Sequence, residues 1–258
     1  MNLPETIRKY IYYEEENVVI LHGDCLEILP LMEAESVDLV LTDPPYGVTS
    51  QYWDIKIDLD ILGKNLAHIT DNLLAFNMQP TFSFMLIGFN KYIKFKDEII
   101  WVYNDGGAGN TKGSGLKNCH QNIGWFCNSN DFIINIDEIR INYIKNERNK
   151  YPVKRGKRTW KENPLGAYPT NVMQFPKHKE IINGKSQFHS HYTIKPLRLI
   201  ENIIKGFSKS NNLILDPFLG SGTTLVACKN LGRKGIGIEI EEKYCAIAKE
   251  RLRQEVLL

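Results

Sequence analysis

Short apolar runs, rich in β-branched residues, alternate along much of this chain with longer stretches whose apolar positions recur every three or four residues. Residues 17–24 (NVVILHGD) form a continuous apolar run closed by Gly-Asp, which predicts a buried strand. CLEILPLME (residues 25–33) predicts a short helix and VDLVLTD (37–43) a second strand. Mixed apolar spacing over residues 58–77 predicts a helix, and TFSFMLIGF (81–89) and DEIIWVYN (97–104) read as strands. NIGWFC (122–127) and DFIINID (131–137) read as two more short strands.

Between these, NDGGAGNTKGSG (residues 104–115) is glycine-rich and polar, lacks any apolar face, and predicts a loop. From residue 140 to 190 the chain is basic, aromatic and punctuated by proline, with little periodicity. Regular texture then returns. KPLRLIENIIKGFS predicts an amphipathic helix with proline in its first turn, NLILD a strand ending at Asp216, and TLVACKNLG a helix stopped by glycine. RKGIGIEI predicts a strand with Glu239 near its end. The last helix, EEKYCAIAKERLRQEVL, is acidic at its start and more basic later, as the helix dipole favours. Strands alternating with helices predict an α/β fold with a doubly wound, mostly parallel sheet. Three segments are expected: 1–103, one half of an α/β domain; 104–190, an inserted, substrate-facing region; and 191–258, the other half of the domain.

The sequence has 258 residues, 43% hydrophobic and 24% charged, ordinary values for a globular domain. No run approaches the roughly 20 apolar residues that span a bilayer, and the first residues lack the order of a signal peptide, so a cytoplasmic protein with no membrane partner is expected. The five cysteines are odd in number and irregularly spaced, which argues against a disulfide framework. Cys119, His120 and Cys127 lack metal-ligand spacing, so reduced cysteines and no metal are expected. The net charge is only +2, yet residues 145–161 (KNERNKYPVKRGKRTWK) concentrate eight Lys or Arg against one Glu. That stripe is either a solvated loop or a face for phosphates.

LILDPFLGSGTTLVACKNLGRKGIGIEI carries the densest chemistry. A strand delivers Asp216, Gly220 and Gly222 allow a sharp turn that brings backbone close to a ligand, and a helix starts at once, its amides facing the same point. Glu239 closes the next strand roughly 20 residues further on, where doubly wound folds place the carboxylate that grips ribose hydroxyls. The spacing is neither G-x-G-x-x-G nor that of a P-loop. Gly-x-Gly with acids at two strand ends suits a nucleoside cofactor with a cationic amino-acid tail, and Asp216 suits its ammonium.

DPFLGSGTT, GIEIEEKYC and DPPYG (residues 43–47) together resemble the amino-methyltransferases that modify exocyclic amines of DNA bases with S-adenosylmethionine. DPPY precedes the cofactor loop, as in the permuted beta class, and the similarity extends to GDCLEIL (23–29) and HYTIKPLRLIE (191–201). The resemblance implies the class I, Rossmann-like methyltransferase fold with an inserted DNA-recognition region. It implies that Asp216, Pro217, Phe218, Gly220, Ser221, Gly222, Thr223 and Thr224 hold the methionine part of the cofactor. Glu239, with Ile240 beside it, holds the ribose; Asp24 and Cys25 sit by the adenine. His191, Thr193, Lys195 and Pro196 match a further cofactor segment, which departs from the family pattern at Tyr192 and Ile194, and Asp43 borders the cofactor.

The same resemblance assigns catalysis to Asp43, Pro44, Pro45 and Tyr46. Asp43 and the carbonyl of Pro44 accept the two N–H bonds of the target amine, Pro45 stiffens the turn, and Tyr46 offers a face for a flipped base. Double-stranded DNA is the implied partner, with Lys154, Arg155, Lys157 and Arg158 facing phosphates. Arg140, Asn171 and Gln174 are candidates to read base edges, while Trp125, Tyr168 and Phe175 are expected to pack. A cognate restriction endonuclease and a homodimer are compatible with the family. Adenine N6 is the expected target because Asp, rather than Ser, opens the motif. N4 of cytosine is the alternative, followed by RNA or a protein glutamine amide, or an inactive DNA-binding homologue.

Overall fold

A computed structural model describes residues 3–45, 57–78, 81–103, 119–130, 132–141, 163–177, 180–182, 185–187 and 194–254. The strands are β1 (Ile11–Glu15), β2 (Val18–His22), β3 (Leu39–Thr42), β4 (Asn72–Asn77), β5 (Phe95–Val102), β6 (His120–Cys127), β7 (Val172–Gln174), β8 (Glu180–Ile182), β9 (Lys185–Gln187), β10 (Leu213–Asp216) and β11 (Lys234–Glu239). The helices are α1 (Glu5–Arg8), α2 (Cys25–Ile28), α3 (Leu59–Ile69), α4 (Thr81–Phe89), α5 (Leu197–Phe207), α6 (Thr223–Asn230) and α7 (Glu242–Arg253). Nine strands make one sheet in the order β1-β2-β11-β10-β3-β4-β6-β5-β7; β8 and β9 pair separately. From β2 to β4 every pairing is parallel. β1 is an antiparallel edge and β6 runs antiparallel between β4 and β5.

Both faces of the parallel strands are covered, which is why their sequences are continuously apolar instead of alternating. Leu39 and Leu41 of β3 join one core layer with Leu199 and Ile203 of α5, Leu225 of α6 and Leu252 of α7. Val40 turns the other way, into a layer with Ile28 of α2, Leu62 and Leu66 of α3 and Phe89 of α4. The doubly wound class is therefore as expected.

Three elements differ from the sequence reading. TFSFMLIGF is the helix α4, not a strand. A short run that is apolar all round does not separate the two by periodicity. Context decides: Asn77 Oδ1 accepts the Met78 amide (2.7 Å) and the Thr81 hydroxyl (2.5 Å) at the helix start. Phe82, Met85 and Phe89 then share the buried side. A Cβ on Gly63 of α3 would stand 2.9 Å from the Phe89 ring, so glycine lets the two helices close. Residues 58–77 are α3 followed by the strand β4. Residues 131–137 contain no strand among the described residues. They lead into a 3₁₀ turn, Ile136–Ile139, fastened to the end of α5 where Asn135 Nδ2 donates to the carbonyls of Lys205 (2.9 Å) and Ser208 (2.7 Å). β6 and β7, which fall within the stretch 104–190, extend the main sheet.

Candidate active site

β10 and β3 are parallel neighbours whose onward connections leave in opposite directions, β10 to β11 and β3 to β4. Such a switch point opens a crevice beyond the carboxyl ends of the strands. Asp43, Asp216 and Glu239 all follow or close those ends, and all three line one cleft there. Distant stretches of sequence meet because parallel pairing aligns them.

Asp216 is buried. Its Oδ1 accepts the Phe218 amide at 3.1 Å and its Oδ2 the Thr224 hydroxyl at 2.6 Å. Burial pushes its carboxyl up to about 7, against the pull of those two hydrogen bonds, and the charges of Asp43 and Glu239 add to the rise. Glu239 is held by two backbone amides, Gly220 N on Oε2 at 2.7 Å and Glu241 N on Oε1 at 2.9 Å. Burial is again the main cause that raises its carboxyl above the ordinary range.

The turn between β10 and α6 needs its glycines for two different reasons. Gly220 has φ +55° and a Cβ there would meet nothing within 4 Å, so its backbone lies open to the cleft. Gly222 has φ +86°, and a Cβ there would come within 2.7 Å of the Ala248 Cβ on α7. From the same helix Arg251 Nη1 donates to the Ser221 carbonyl (2.7 Å), the Ser221 hydroxyl (2.9 Å) and the Thr223 hydroxyl (3.0 Å). Nothing in the sequence pattern signals this clamp, because Arg251 looks like any basic residue in a last helical turn.

At the other end of the cleft, Lys195 Nζ contacts Asp43 Oδ2. It also lies over the Phe76 ring, 5.1 Å from the centroid. The cleft brings together Asp43, Pro44, Pro45, Lys195, Asp216, Phe218, Gly220, Ser221, Thr223, Thr224, Glu239 and Ile240 from the sequence-based set. Leu219 of the cofactor loop and Ile194 of the cofactor segment line it too, as do Phe76 and Tyr244, which no expectation placed there. Phe76 is not legible in the sequence because the apolar spacing of residues 58–77 predicts helix where β4 stands.

Other candidates stand outside the lining. Gly222 and Pro217 shape the turn, and Pro196 caps α5. Asp24 caps α2 by accepting the Leu26 amide at 2.8 Å, and Cys25 is buried, its thiol pushed up to about 12 by that burial. Both adjoin the site through Gly23, whose amide donates to the Glu239 carbonyl at 3.0 Å. Tyr46, His191, Thr193, Lys154, Arg155, Lys157 and Arg158 lie outside the described residues. Arg140 is occupied within the fold: Nε donates to Asp137 (2.6 Å), Nη1 to the Gly166 carbonyl (3.2 Å), and the guanidinium stacks on exposed Tyr168. Asn171 Nδ2 donates to the Glu98 carbonyl at 3.0 Å, and Trp125 is buried. Among the described residues no group of three His, Cys, Asp or Glu side chains is placed to hold a metal ion.

A doubly wound sheet with a glycine turn and two carboxylates at its switch point, joined there by Asp-Pro-Pro, defines a Rossmann-like methyltransferase. The model of the DNA methylase family with N6 and N4 amine targets matches residues 37–250. The chain is 34% identical over 246 residues to the type II methyltransferase M1.MboII of Moraxella bovis, covering 86% of this chain and 91% of that protein. It is 30% identical to M.ScaI of Streptomyces caespitosus, over 95% and 84% of the two chains, and 28% identical to the DNA adenine methyltransferase YhdJ of Escherichia coli K12, over 93% and 84%. The fold is similar to that of the cytosine-N4-specific PvuII DNA methyltransferase, with a TM-score of 0.70 at 17% identity over 96% of this chain and 91% of that one. This chain belongs to the N6/N4 DNA methylase family, the beta-class amino-methyltransferases, whose methyl donor is S-adenosyl-L-methionine. No helix among the described residues is long and apolar enough to cross a membrane.

Proposed function

We propose that this protein transfers a methyl group to the exocyclic N6 of adenine in double-stranded DNA, with S-adenosylmethionine bound across the acidic half of the cleft. The observation that carries this reading is the convergence of the Asp43-Pro44 carboxylate and carbonyl with Asp216 and Glu239 in one crevice. The residues fit the cofactor. A buried carboxyl poised at about 7 gains from a cationic neighbour, the open backbone at Gly220 admits a ligand at close range, and each Glu239 oxygen, having taken one amide, keeps lone-pair capacity for a ribose hydroxyl. When bound, the sulfonium supplies an electrophilic methyl.

The protein's own contribution is to the amine. An exocyclic amine is a weak nucleophile because its lone pair is delocalised into the ring. The Asp43 carboxylate accepts one N–H; the Pro44 carbonyl, at a turn where two prolines contribute no donors, accepts the other. Two acceptors draw the nitrogen toward tetrahedral geometry and localise its lone pair. No covalent enzyme intermediate is needed; positioning and electrostatics supply the rate.

A base in a duplex cannot enter this cleft, so the target is flipped, with Tyr46 offering a stacking face and the basic residues Lys154, Arg155, Lys157 and Arg158 meeting phosphates. His191 and Thr193 complete the cofactor segment with Pro196, and Asp24 and Cys25 border the adenine. Residues 104–190, apart from the sheet strands β6 and β7, carry the target-recognition function between two halves of the catalytic domain. A cognate restriction endonuclease fits relatives named type II methyltransferases, and the protein acts in the cytoplasm. N4 of cytosine is the second reading, since it presents the same amine; Asp at position 43 and the adenine-specific relative favour N6. The test is transfer from labelled S-adenosylmethionine to unmethylated genomic DNA, followed by digestion and mass spectrometry of the nucleosides. N6-methyladenine is the expected product. N4-methylcytosine moves the reading to the second base, and no labelled nucleoside overturns both.

A further inference from the structure

Three carboxylates, Asp43, Asp216 and Glu239, line the cleft. Among the described residues lining it, Lys195 is the one lysine or arginine. The resemblance to the family would give that lysine to the cofactor. Its position says otherwise. The side chain is 9% exposed and its ammonium is against Asp43 Oδ2, whose own side chain is 24% exposed. The stem is fixed from behind: Pro196 caps α5, and Leu199 and Ile200 in the first turn are buried in the core. The head rests on the face of Phe76, the residue that continues β4 beside Asp43 in the parallel register, where Thr42 pairs with Ala75. Its ammonium is thereby set against Asp43, the carboxylate proposed to meet the target base.

We infer that Lys195 is a positioning residue for the target-base half of the site, one that pins the Asp43 carboxylate and is not a ligand of the cofactor. The inference rests on the proposed role of Asp43. Its physical logic is a division of charge. A partly exposed carboxylate facing two others gains by rotating away to water. The ammonium takes one of its oxygens, holds the group in a single orientation, and leaves the Asp216–Glu239 end of the cleft with an excess of negative charge suited to a cationic cofactor. The aromatic face under the ammonium keeps it directed at Asp43, because a ring quadrupole holds a cation without offering a competing carboxylate. Arginine retains the charge but not the shape of a point donor.

The experiment compares the full-length protein with Lys195→Met and Lys195→Arg. Methyl transfer to DNA is measured at saturating S-adenosylmethionine, cofactor affinity by calorimetry, and melting temperature alongside Asp43→Asn and the double variant. A small displacement of a reacting group costs on the order of 100-fold. We therefore expect Lys195→Met to lose roughly that factor in kcat, to keep its cofactor Kd within about threefold, and to recover at least a tenth of the wild-type kcat in Lys195→Arg. Non-additive melting shifts in the Asp43→Asn cycle are expected from the ion pair, and that readout stands even if the wild-type protein proves to methylate some other amine. A Lys195→Met variant that melts like the wild type but binds cofactor tenfold or more weakly, with kcat preserved at saturation, overturns the inference and returns the lysine to the cofactor. Additive melting shifts with unchanged kinetics overturn it as well.

Discussion

At the scale of single residues the site is a set of carboxylates in different surroundings. Asp216 and Glu239 are buried and each oxygen takes one neighbouring amide or hydroxyl, whereas Asp43 is partly open and held by a lysine. Burial raises the first two; partial exposure leaves the third open to the cleft. Asp43→Ala removes the acceptor proposed for the target amine and leaves the hydrogen bonds that hold Asp216 and Glu239 in place. Turnover should fall by at least about two to three orders of magnitude while cofactor affinity holds. Single-turnover methyl transfer and calorimetry on the same preparation check both parts, and transfer at the wild-type rate removes Asp43 from the mechanism.

Elements place those residues. β10 ends in Asp216 and turns through two left-handed glycines into α6, and the turn is held from outside by α7. Arg251 lies away from the cleft lining, yet three of its hydrogen bonds fix Ser221 and Thr223, which do line it. Arg251→Ala should weaken cofactor binding about tenfold, the range expected when a group that orients a ligand-holding residue is removed. Stability should fall by about 1–3 kcal/mol, since a partly buried network loses its donor. Equilibrium binding and urea denaturation separate the two effects; unchanged cofactor affinity would show that the turn holds its shape unaided.

The whole molecule couples proton binding to the cofactor site. Asp216 rises from an ordinary value of 3.8 to about 7 in the fold. The folded state therefore binds a proton that the unfolded chain has already released. The stability this group contributes is full at low pH and is lost as pH climbs through the interval up to about 7. A cationic cofactor acts in the opposite sense, because it favours the ionised carboxylate. Affinity for S-adenosylmethionine should increase as pH rises toward 7 and level off above it, by up to about tenfold. Calorimetric titrations from pH 5.5 to 8.5 test this, with Asp216→Asn expected to flatten the curve; a flat wild-type curve would mean that Asp216 does not titrate against the cofactor.

Much of this protein is determined by sequence that speaks locally. The strands β2, β3 and β10 are near-continuous apolar runs, so their burial on both faces follows from composition. The acids at their ends and the Gly-x-Gly between them announce a nucleoside site because chemistry of that kind tolerates few other residues there. What local pattern leaves undecided is whatever depends on neighbours distant in the chain. TFSFMLIGF is equally apolar as strand or helix, and the packing of Phe82, Met85 and Phe89 on one buried side, with Phe89 against Gly63, makes it a helix. β4 merges in sequence with the helix before it. Arg251 and Phe76 acquire roles solely because α7 and β4 bring them to the cleft. The same holds for Lys195: its motif assigns it to the cofactor, but the pairing of β3 with β4 and the burial of α5 set its ammonium against Asp43. Sequence determined which chemistry this chain carries, because that is written in residue types and short spacings. Tertiary structure decided which residue serves which half of the site, because a side chain's partner is set by the packing of elements that the sequence keeps far apart.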